Sequence, residues 1–255
     1  MTVRPRDDPS GAPGPHPKDI DRARAADMIA EGVRGAAPGE IPGRLCAVAV
    51  ELLPVTGASV SLRSDGMPVQ LSASSDRAAR LAQIQATLGD GPCRLALETG
   101  APVQACDLTT GQDPLRWPVF AQQATAAGVR AVYVMPLGND TVCLGTLDLY
   151  RDTPGVLTDR QLYVARLVAG AMTVALMALP HGEDHETLGG EPWLSGLAAD
   201  HDELFQAIGM IMAQLGVGAD EAIARLRGDA FARGRTALDV ARDVVARRRR
   251  FERDP

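Results

Sequence analysis

Three amphipathic segments follow one another near the C-terminal end of the chain, from Glu203 to Arg250, and each is apolar along one side only. A helix of this kind must bury its apolar side against a partner. Because short glycine-containing connections join the three segments, each finds its partner in the other two, which predicts a small helical module. The apolar positions are Leu204, Ile208, Ile211, Met212 and Leu215, then Ala222, Ile223, Leu226 and Ala230, then Leu238, Ala241, Val244 and Val245.

The starts of the second and third helices also have recognisable signals. Gly218 follows the Gly-Val-Gly break as an N-cap, and Glu221 stands at the third helical position as half of a capping box. Thr236 is placed to cap the third helix, where Asp239 lies near the positive N-terminal end. The second helix is therefore expected to stop near Arg233 and the third to begin just after Thr236.

An ordered set of residues runs through these three helices. Gln206-Ala207-x-Gly209 opens the set, Ala222, Leu226 and Ala230 mark the second helix, and Val240-Ala241 with Val244 mark the third. In this set the segment resembles an ANTAR domain, the RNA-binding output module of bacterial antitermination regulators. The resemblance implies recognition of paired RNA stem-loops, so that binding blocks a terminator hairpin and polymerase continues. Two loops held at once imply a homodimer.

The charge distribution agrees with a basic output module on an acidic chain. The chain has a net charge of −6, yet residues 203 to 255 carry ten Arg against eight Asp or Glu, a net charge of +2. The other residues carry sixteen basic and twenty-four acidic side chains, a net charge of −8. RNA binding needs cations for phosphates and flat faces for unstacked bases. The predicted RNA-binding residues are Arg227, Phe231, Arg233, Arg235, Arg242, Arg247, Arg248 and Arg249.

Two other functions fit the same helical pattern. Three short helices with a basic last helix also describe a DNA-binding regulator related to helix-turn-helix proteins. A protein-interaction module that binds no nucleic acid is compatible with the modest charge of +2.

The preceding part of the chain mixes helical and strand periodicity. Helices are predicted at 18–31, 41–53, 76–88, 120–127 and 157–179, and alternating strands pair around Asp65-Gly66 and around Gly138-Asn139-Asp140. Hairpins with flanking helices and no regular βαβ order predict an α+β fold with an antiparallel sheet. The predicted organisation is a disordered Pro-rich arm (1–17), a sensor domain (18–179), a polar linker (180–202), the helical module (203–250) and a short tail (251–255).

Several short motifs in residues 18–179 have a family resemblance. They are Leu88–Cys93 (L-G-D-G-P-C), the A-L-E-T-G-x-P-V run that ends at Val103, Asp107-Leu108, Arg116–Phe120, Gly128–Val132, Pro136–Gly138 and Leu144–Tyr150 (L-G-T-L-D-L-Y). With these motifs the region resembles a GAF domain, a widespread fold that senses small molecules and signals. The resemblance implies a sensor domain joined to an ANTAR output, with an unidentified small molecule as one possible ligand.

The sequence requires no cofactor in this sensor domain. The four His residues lie in the arm or in the linker, which argues against a His-ligated haem, and the cyclic-nucleotide signature of some GAF domains is absent. The residues predicted to line a sensor pocket are Cys93, Cys106, Asp107, Arg116 and Trp117. A bilin or a redox role for the cysteines, simple core packing, and a ligand-free domain that only dimerises stay open.

Enzymatic, metal-binding and membrane classes find no support in the sequence. G-x-S-x-G, G-x-x-x-x-G-K-[ST], G-x-G-x-x-G and H-E-x-x-H are all missing, so no catalytic residues are predicted. The four cysteines show neither C-x-x-C spacing nor a nearby His, so no metal site is predicted. The N-terminus lacks the apolar core of a signal peptide, and the longest apolar stretch, 167–179, is too short to span a bilayer. A cytoplasmic, reduced protein is expected.

Overall fold

The computed structural model describes residues 17–64, 67–139, 141–178 and 192–252, and their side chains from residue 22 in the first helix and from residue 202 in the eighth. The described part up to residue 178 forms an α+β domain, as the sequence predicts. Its elements are α1 (Pro17–Val33), α2 (Ile41–Leu52), β1 (Gly57–Leu62), β2 (Val69–Ala73), α3 (Asp76–Leu88), α4 (Pro92–Thr99), β3 (Val103–Ala105), α5 (Asp113–Arg116), α6 (Pro118–Ala126), β4 (Ala131–Gly138), β5 (Cys143–Arg151) and α7 (Asp159–Met177).

The five strands form one antiparallel sheet in the order β2-β1-β5-β4-β3. The central strand, β5, pairs Leu147 with Val60 of β1 on one side and with Met135 of β4 on the other. Gly145 allows β1 and β5 to approach closely, because a Cβ atom there would lie 2.1 Å from the carbonyl oxygen of Ser61. The predicted hairpins are confirmed as β1–β2 and β4–β5, and Asp65, Gly66 and Asp140 at their turns lie outside the described residues.

Helices cover both faces of the sheet because the strands alternate inward-facing residues. On β5, Leu147 and Leu149 join the apolar core under α1, α2 and α7. Tyr150 faces the other core, under α3, α4 and α6, which also contains Phe120 and Trp117. A β-strand presents successive side chains to opposite faces, so Thr146 and Asp148 share the face of Tyr150. This places polar groups of the central strand under α3 and α4.

The helical module consists of α8 (Pro192–Leu215), α9 (Ala219–Ala232) and α10 (Ala237–Val245). Thr236 closes a full capping box with Asp239, and Gly218 is the N-cap of α9 without a side-chain bond, since glycine has none to offer. Most of the predicted stripe residues form the core of the module, together with Met67 from the loop between β1 and β2. Leu238 was predicted on the inner face of α10 but is not part of this core, and Ala237 and Val240 of the same helix are buried there instead. The three-helix prediction is confirmed.

The start of the module differs from the prediction. Helix α8 begins at Pro192, so the boundary predicted at Glu203 lies inside a helix and the predicted linker loses its last eleven residues. Its polar sequence, with Asp200, Asp202 and Glu203, indicated a linker because no apolar stripe is visible before Leu204. The rest of the linker, and the predicted arm up to residue 16, lie outside the described residues.

The predicted tail also differs, because Phe251 belongs to the core of the module. After α10, Arg247 adopts a left-handed backbone conformation with a φ of 57°, which turns the chain back toward α8 and α9. The Phe251 N–H then donates to Gln214 Oε1 at 2.8 Å, and its ring is 8% exposed. A single aromatic residue after a polar run carries no periodic signal, so the sequence pattern missed it.

Among the described helices, none is long and apolar enough to cross a membrane alone. One pair, Asp202–Leu215 with Ala219–Ala232, meets the criteria of length and composition jointly, with a bend of 103° between the two helices.

Candidate nucleic-acid interface

The end of α9 presents an aromatic ring to solvent. Phe231 is 51% exposed, although its neighbours on the other side of the helix, Leu226 and Ala230, are buried. The chain then turns at Gly234, with a φ of 62°, before Thr236 starts α10. An exposed ring beside a turn is accessible to an unstacked base, which is the contact that single-stranded nucleic acid makes with aromatic side chains.

Most of the predicted arginines are engaged by two carboxylates of the module itself. Asp229 accepts hydrogen bonds from Arg233 and Arg249, and Asp243 accepts them from Arg235 and Arg248. Burial raises the pKa of Asp229, but the bonds from Arg249 and Arg233 outweigh burial and hold this pKa below its ordinary value. Arg235 and Arg248 hold the pKa of the Asp243 carboxyl below its ordinary value in the same way.

The remaining predicted arginines have different surroundings. Arg242 donates to Glu203 Oε2 at 2.9 Å, which ties α10 to α8. Arg247 is exposed, and so is Arg250, which was not among the predicted residues. Within the part of the chain that the structure describes, neither of these two forms an ion pair. They are the two exposed cations of the C-terminal run that no described carboxylate pairs with.

Arg227 lies against the sensor domain instead of solvent. Its Nε donates to the carbonyl oxygen of Ala86 at 3.3 Å, at the end of α3. Burial lowers the pKa of this guanidinium, and the nearby Arg94 lowers it further. A Cβ atom on Gly89 would lie 2.5 Å from Arg227 Cζ, so the glycine is what allows this contact.

A second bond joins the two parts of the chain at the start of α10. The Ala237 N–H donates to Thr87 Oγ1 at 3.1 Å, and both residues are buried. The Thr87 hydroxyl of the sensor domain thereby accepts a hydrogen bond from one of the N–H groups that are left without an intrahelical partner at the N-terminus of α10. The C-terminal end of α3 therefore docks the output module through Ala86, Thr87 and its C-cap Gly89, which lie within about one helical turn.

The residues predicted to line a sensor pocket do not meet in one place. Cys93 lies on the buried side of α4, where its thiol is 3.2 Å from Thr146 Oγ1, whereas Cys106 packs on the opposite core of the sheet. Asp107 accepts bonds from Thr109 and Thr110 in an exposed loop, which lower its pKa to about 2. The two other predicted residues form a stacked pair, with the Arg116 guanidinium 4.8 Å from the Trp117 ring.

The structure instead brings a buried polar cluster together at the centre of the sheet. Gln85 Nε2 of α3 donates to Asp148 Oδ2 at 2.7 Å, and Gln85 Oε1 accepts the Cys93 N–H at 2.9 Å. Tyr150 lies beside this pair, with its hydroxyl 2.8 Å from Ser59 Oγ. The sequence signal for this cluster was an acidic residue in the middle of an otherwise apolar strand, L-D-L-Y.

Burial dominates the electrostatics of this cluster. It raises the pKa of Asp148 to about 6, although hydrogen bonds from Thr146, Gln85 and Tyr150 partly offset it. Burial and the Asp148 carboxylate also raise the pKa values of Cys93 and Tyr150 well above their ordinary values. A thiol with a raised pKa is mostly protonated and therefore a poor nucleophile. Among the described residues, no three His, Cys, Asp or Glu side chains are placed to hold a metal ion.

The α+β domain and the helical module together are the architecture of a regulatory protein, in which a sensor-type domain is followed by an output module. Residues 40–176 match the family model of the GAF domain, and residues 197–245 match that of the ANTAR domain. The chain therefore belongs to the GAF domain family, with an ANTAR domain after the sensor. Both are signalling and regulatory domains, and ANTAR domains are RNA-binding antitermination modules.

The sensor domain is similar in fold to a solved GAF domain. The GAF domain of a phosphoenolpyruvate-protein phosphotransferase from Coxiella burnetii is 14% identical over 64% of this chain and 95% of its own, with a TM-score of 0.50. Free methionine-R-sulfoxide reductase from Neisseria meningitidis is 14% identical over 64% of this chain and 92% of its own, with a TM-score of 0.48. Among curated proteins, none matches the chain.

Proposed function

We propose that the protein is a signal-responsive RNA-binding regulator that promotes transcription antitermination by binding RNA stem-loops. The observation that carries the proposal is the ANTAR match over residues 197–245. The exposed Phe231 and the accessible cations Arg247 and Arg250 support it, since they supply a stacking face and phosphate contacts. A stem-loop held by the module would be withheld from a terminator hairpin.

We further infer that the sensor acts on the output through α3. Gln85 of this helix binds Asp148 in the buried cluster, while the next residues, Ala86 and Thr87, bind Arg227 and Ala237 of the module. A signal that alters the cluster would shift the docking residues, because they are adjacent on one short helix. We propose a small molecule bound by the sensor domain as this signal.

The active form is proposed to be a homodimer in the cytoplasm, where nascent transcripts are found. Two RNA loops require two modules, and joining them in one dimer raises the effective concentration of the second module. A sensor that changes the dimer population would switch RNA affinity without any new contact to RNA.

Binding of the full-length protein to hairpin RNA, compared with duplex DNA of the same length, tests the proposal. The measurement is a titration across a salt series with the mass of the complex monitored. RNA-selective, salt-sensitive binding by a dimer is expected. The double variant Arg247→Glu/Arg250→Glu is expected to bind at least about tenfold more weakly, while Arg22→Glu/Arg24→Glu on α1 serves as a control of equal charge change.

Other outcomes separate the alternatives. A preference for duplex DNA would identify a DNA-binding regulator and overturn the proposal. Binding to neither nucleic acid, both for the full chain and for residues 192–255, which keep α8 whole, would favour a protein-interaction module. Full RNA affinity in Arg247→Glu/Arg250→Glu would reject the assigned binding face.

A further inference from the structure

A groove of about 910 Å³ runs between the sensor domain and the output module. One wall is formed by the exposed side of α3 and the end of α6, and the other by the turn between α9 and α10. Its size falls in the range of about 300–1,000 Å³ that ligand pockets span. The side chains that line it include Arg77, Arg80, Gln83, Gln123, Phe231 and Arg235.

The output wall supplies a stacking face. Phe231 lies in the groove and is 51% exposed, which leaves most of a large apolar ring in water. Opposite it, Gln83 and Gln123 offer side-chain amides that form no hydrogen bond with any described residue. Amides that both donate and accept, next to an aromatic face, can hold an unpaired base by its plane and by its edge.

The sensor wall supplies the cations. Arg77 and Arg80 are exposed, and within the described residues neither takes part in an ion pair, in contrast to Arg235 across the groove, which Asp243 holds. Three guanidinium groups line the groove against two carboxylates, Asp76 and Asp239. On α3, Arg77 and Arg80 face one carboxylate, Asp76, and within the described residues it forms an ion pair with neither, so this wall carries a net positive charge.

We propose that this groove is part of the RNA-binding surface, so that the sensor domain itself contacts the RNA. An unpaired loop base stacks on Phe231, and the phosphates beside it bind Arg77 and Arg80. The inference rests on the proposed RNA-binding function and adds a second, sensor-borne half to that site. A duplex offers no unpaired base to stack on Phe231. A peptide would balance the positive charge of Arg77 and Arg80 only if it were acidic.

The groove makes sensor control of RNA affinity direct. Arg77 and Arg80 stand on the first turns of α3, and Gln85 of the same helix binds Asp148 in the buried cluster. A movement of α3 would change the distance between the sensor arginines and Phe231. RNA would then bind tightly only while Arg77 and Arg80 lie at the distance from Phe231 that lets one RNA loop contact both walls of the groove.

The test uses the full-length protein and a hairpin RNA with an unpaired loop, and measures affinity across a salt series. The variant Arg77→Gln/Arg80→Gln is expected to lose affinity about tenfold and to lower the salt slope by about 1.5, the value for two lost phosphate contacts. The matched control Arg22→Gln/Arg24→Gln removes two exposed arginines from α1, on the opposite face of the sheet, and is expected to bind like the parent protein.

Protection of the Ala237 amide from hydrogen exchange distinguishes a lost RNA contact from lost docking. It is expected to stay unchanged in Arg77→Gln/Arg80→Gln, since Thr87 still holds that amide. Parent-like affinity and salt slope in this variant would overturn the inference and leave the proposed function standing. If the parent protein binds no hairpin RNA, the proposed function itself fails. Equal loss of hairpin and duplex binding would overturn the assignment to an unpaired loop.

Discussion

Asp148 is a single side chain with a measurable effect on stability. It is fully buried, and its pKa is raised to about 6 from an ordinary value of 3.8. The folded protein therefore binds the proton more tightly than the unfolded chain, so the stability that the protonated carboxyl contributes at low pH is lost as pH rises from about 4 to about 6. Above that window the buried charge destabilises the fold.

Asp148→Asn is expected to remove this pH dependence. An amide keeps an acceptor for Gln85 and carries no charge. The variant is therefore expected to be stabilised relative to the parent as pH rises, so that its free energy of unfolding minus that of the parent is larger by about 2 kcal/mol at pH 7.5 than at pH 4.5. Urea denaturation at the two pH values measures the difference. Asp107→Asn is the control, since the lowered pKa of about 2 places its titration below both pH values. A pH-independent difference for Asp148→Asn would contradict the assignment.

Replacement by alanine is expected to lower stability at one of the two phenylalanines near the end of the chain and RNA affinity at the other. Phe251 is buried in the module core, so Phe251→Ala is expected to lower the free energy of unfolding by about 3 kcal/mol. Phe231 is exposed, so Phe231→Ala is expected to change stability by less than about 0.5 kcal/mol. Its RNA affinity is expected to fall about tenfold, the effect of one lost base stack. Unchanged RNA affinity in Phe231→Ala would exclude the stacking role.

Two glycines that follow neighbouring helices form a matched pair for testing the contact between the end of α3 and the helical module. Gly89 and Gly100 both adopt φ of 63° after α3 and α4, so alanine at either position carries the same left-handed strain of about 1 kcal/mol. Only at Gly89 would the added Cβ meet another residue, Arg227, at 2.5 Å. At Gly100 nothing lies within 4 Å.

Gly89→Ala is therefore expected to loosen the module from α3, whereas Gly100→Ala is not. Nuclear magnetic resonance of hydrogen exchange at the Ala237 amide measures this, because Thr87 of α3 holds that amide. Faster exchange is expected in Gly89→Ala only. Equal exchange rates in the two variants would mean that the contact between Gly89 and Arg227 does not hold the module in place.

At the level of the assembly, α7 is the helix that we expect to pair with its copy. Val174 is 68% exposed and Met177 is 56% exposed at its C-terminal end. Val174→Asp/Met177→Asp is expected to convert a dimer to a monomer in sedimentation experiments and to weaken binding to RNA with two loops more than to RNA with one. Leu115→Asp on α5, at an equally exposed apolar position, is the control. A variant that stays dimeric would exclude this face.

Local patterns in the sequence are sufficient for most of the elements. The 3.6-residue stripes from Leu204 to Val245 define the three helices, and the alternation around the β4–β5 turn defines the central hairpin, because both periods report which side of an element is buried. Caps such as Thr158 and Thr236 were predictable for the same reason: a helix start needs a side-chain acceptor within three residues. The fold class and the two-part organisation follow from these signals.

The site depended on contacts between residues distant in sequence. Gln85 meets Asp148 across the sheet, and Arg227 meets Ala86 across two parts of the chain, and no local period encodes either pairing. The same is true of the arginines that Asp229 and Asp243 neutralise, which looked equally available in the sequence. The sequence by itself determined which faces must be buried, since apolar residues recur along the chain with the period of the helix or strand that buries them. Only the tertiary structure decided which cations stay accessible, since that depends on what packing brings beside them.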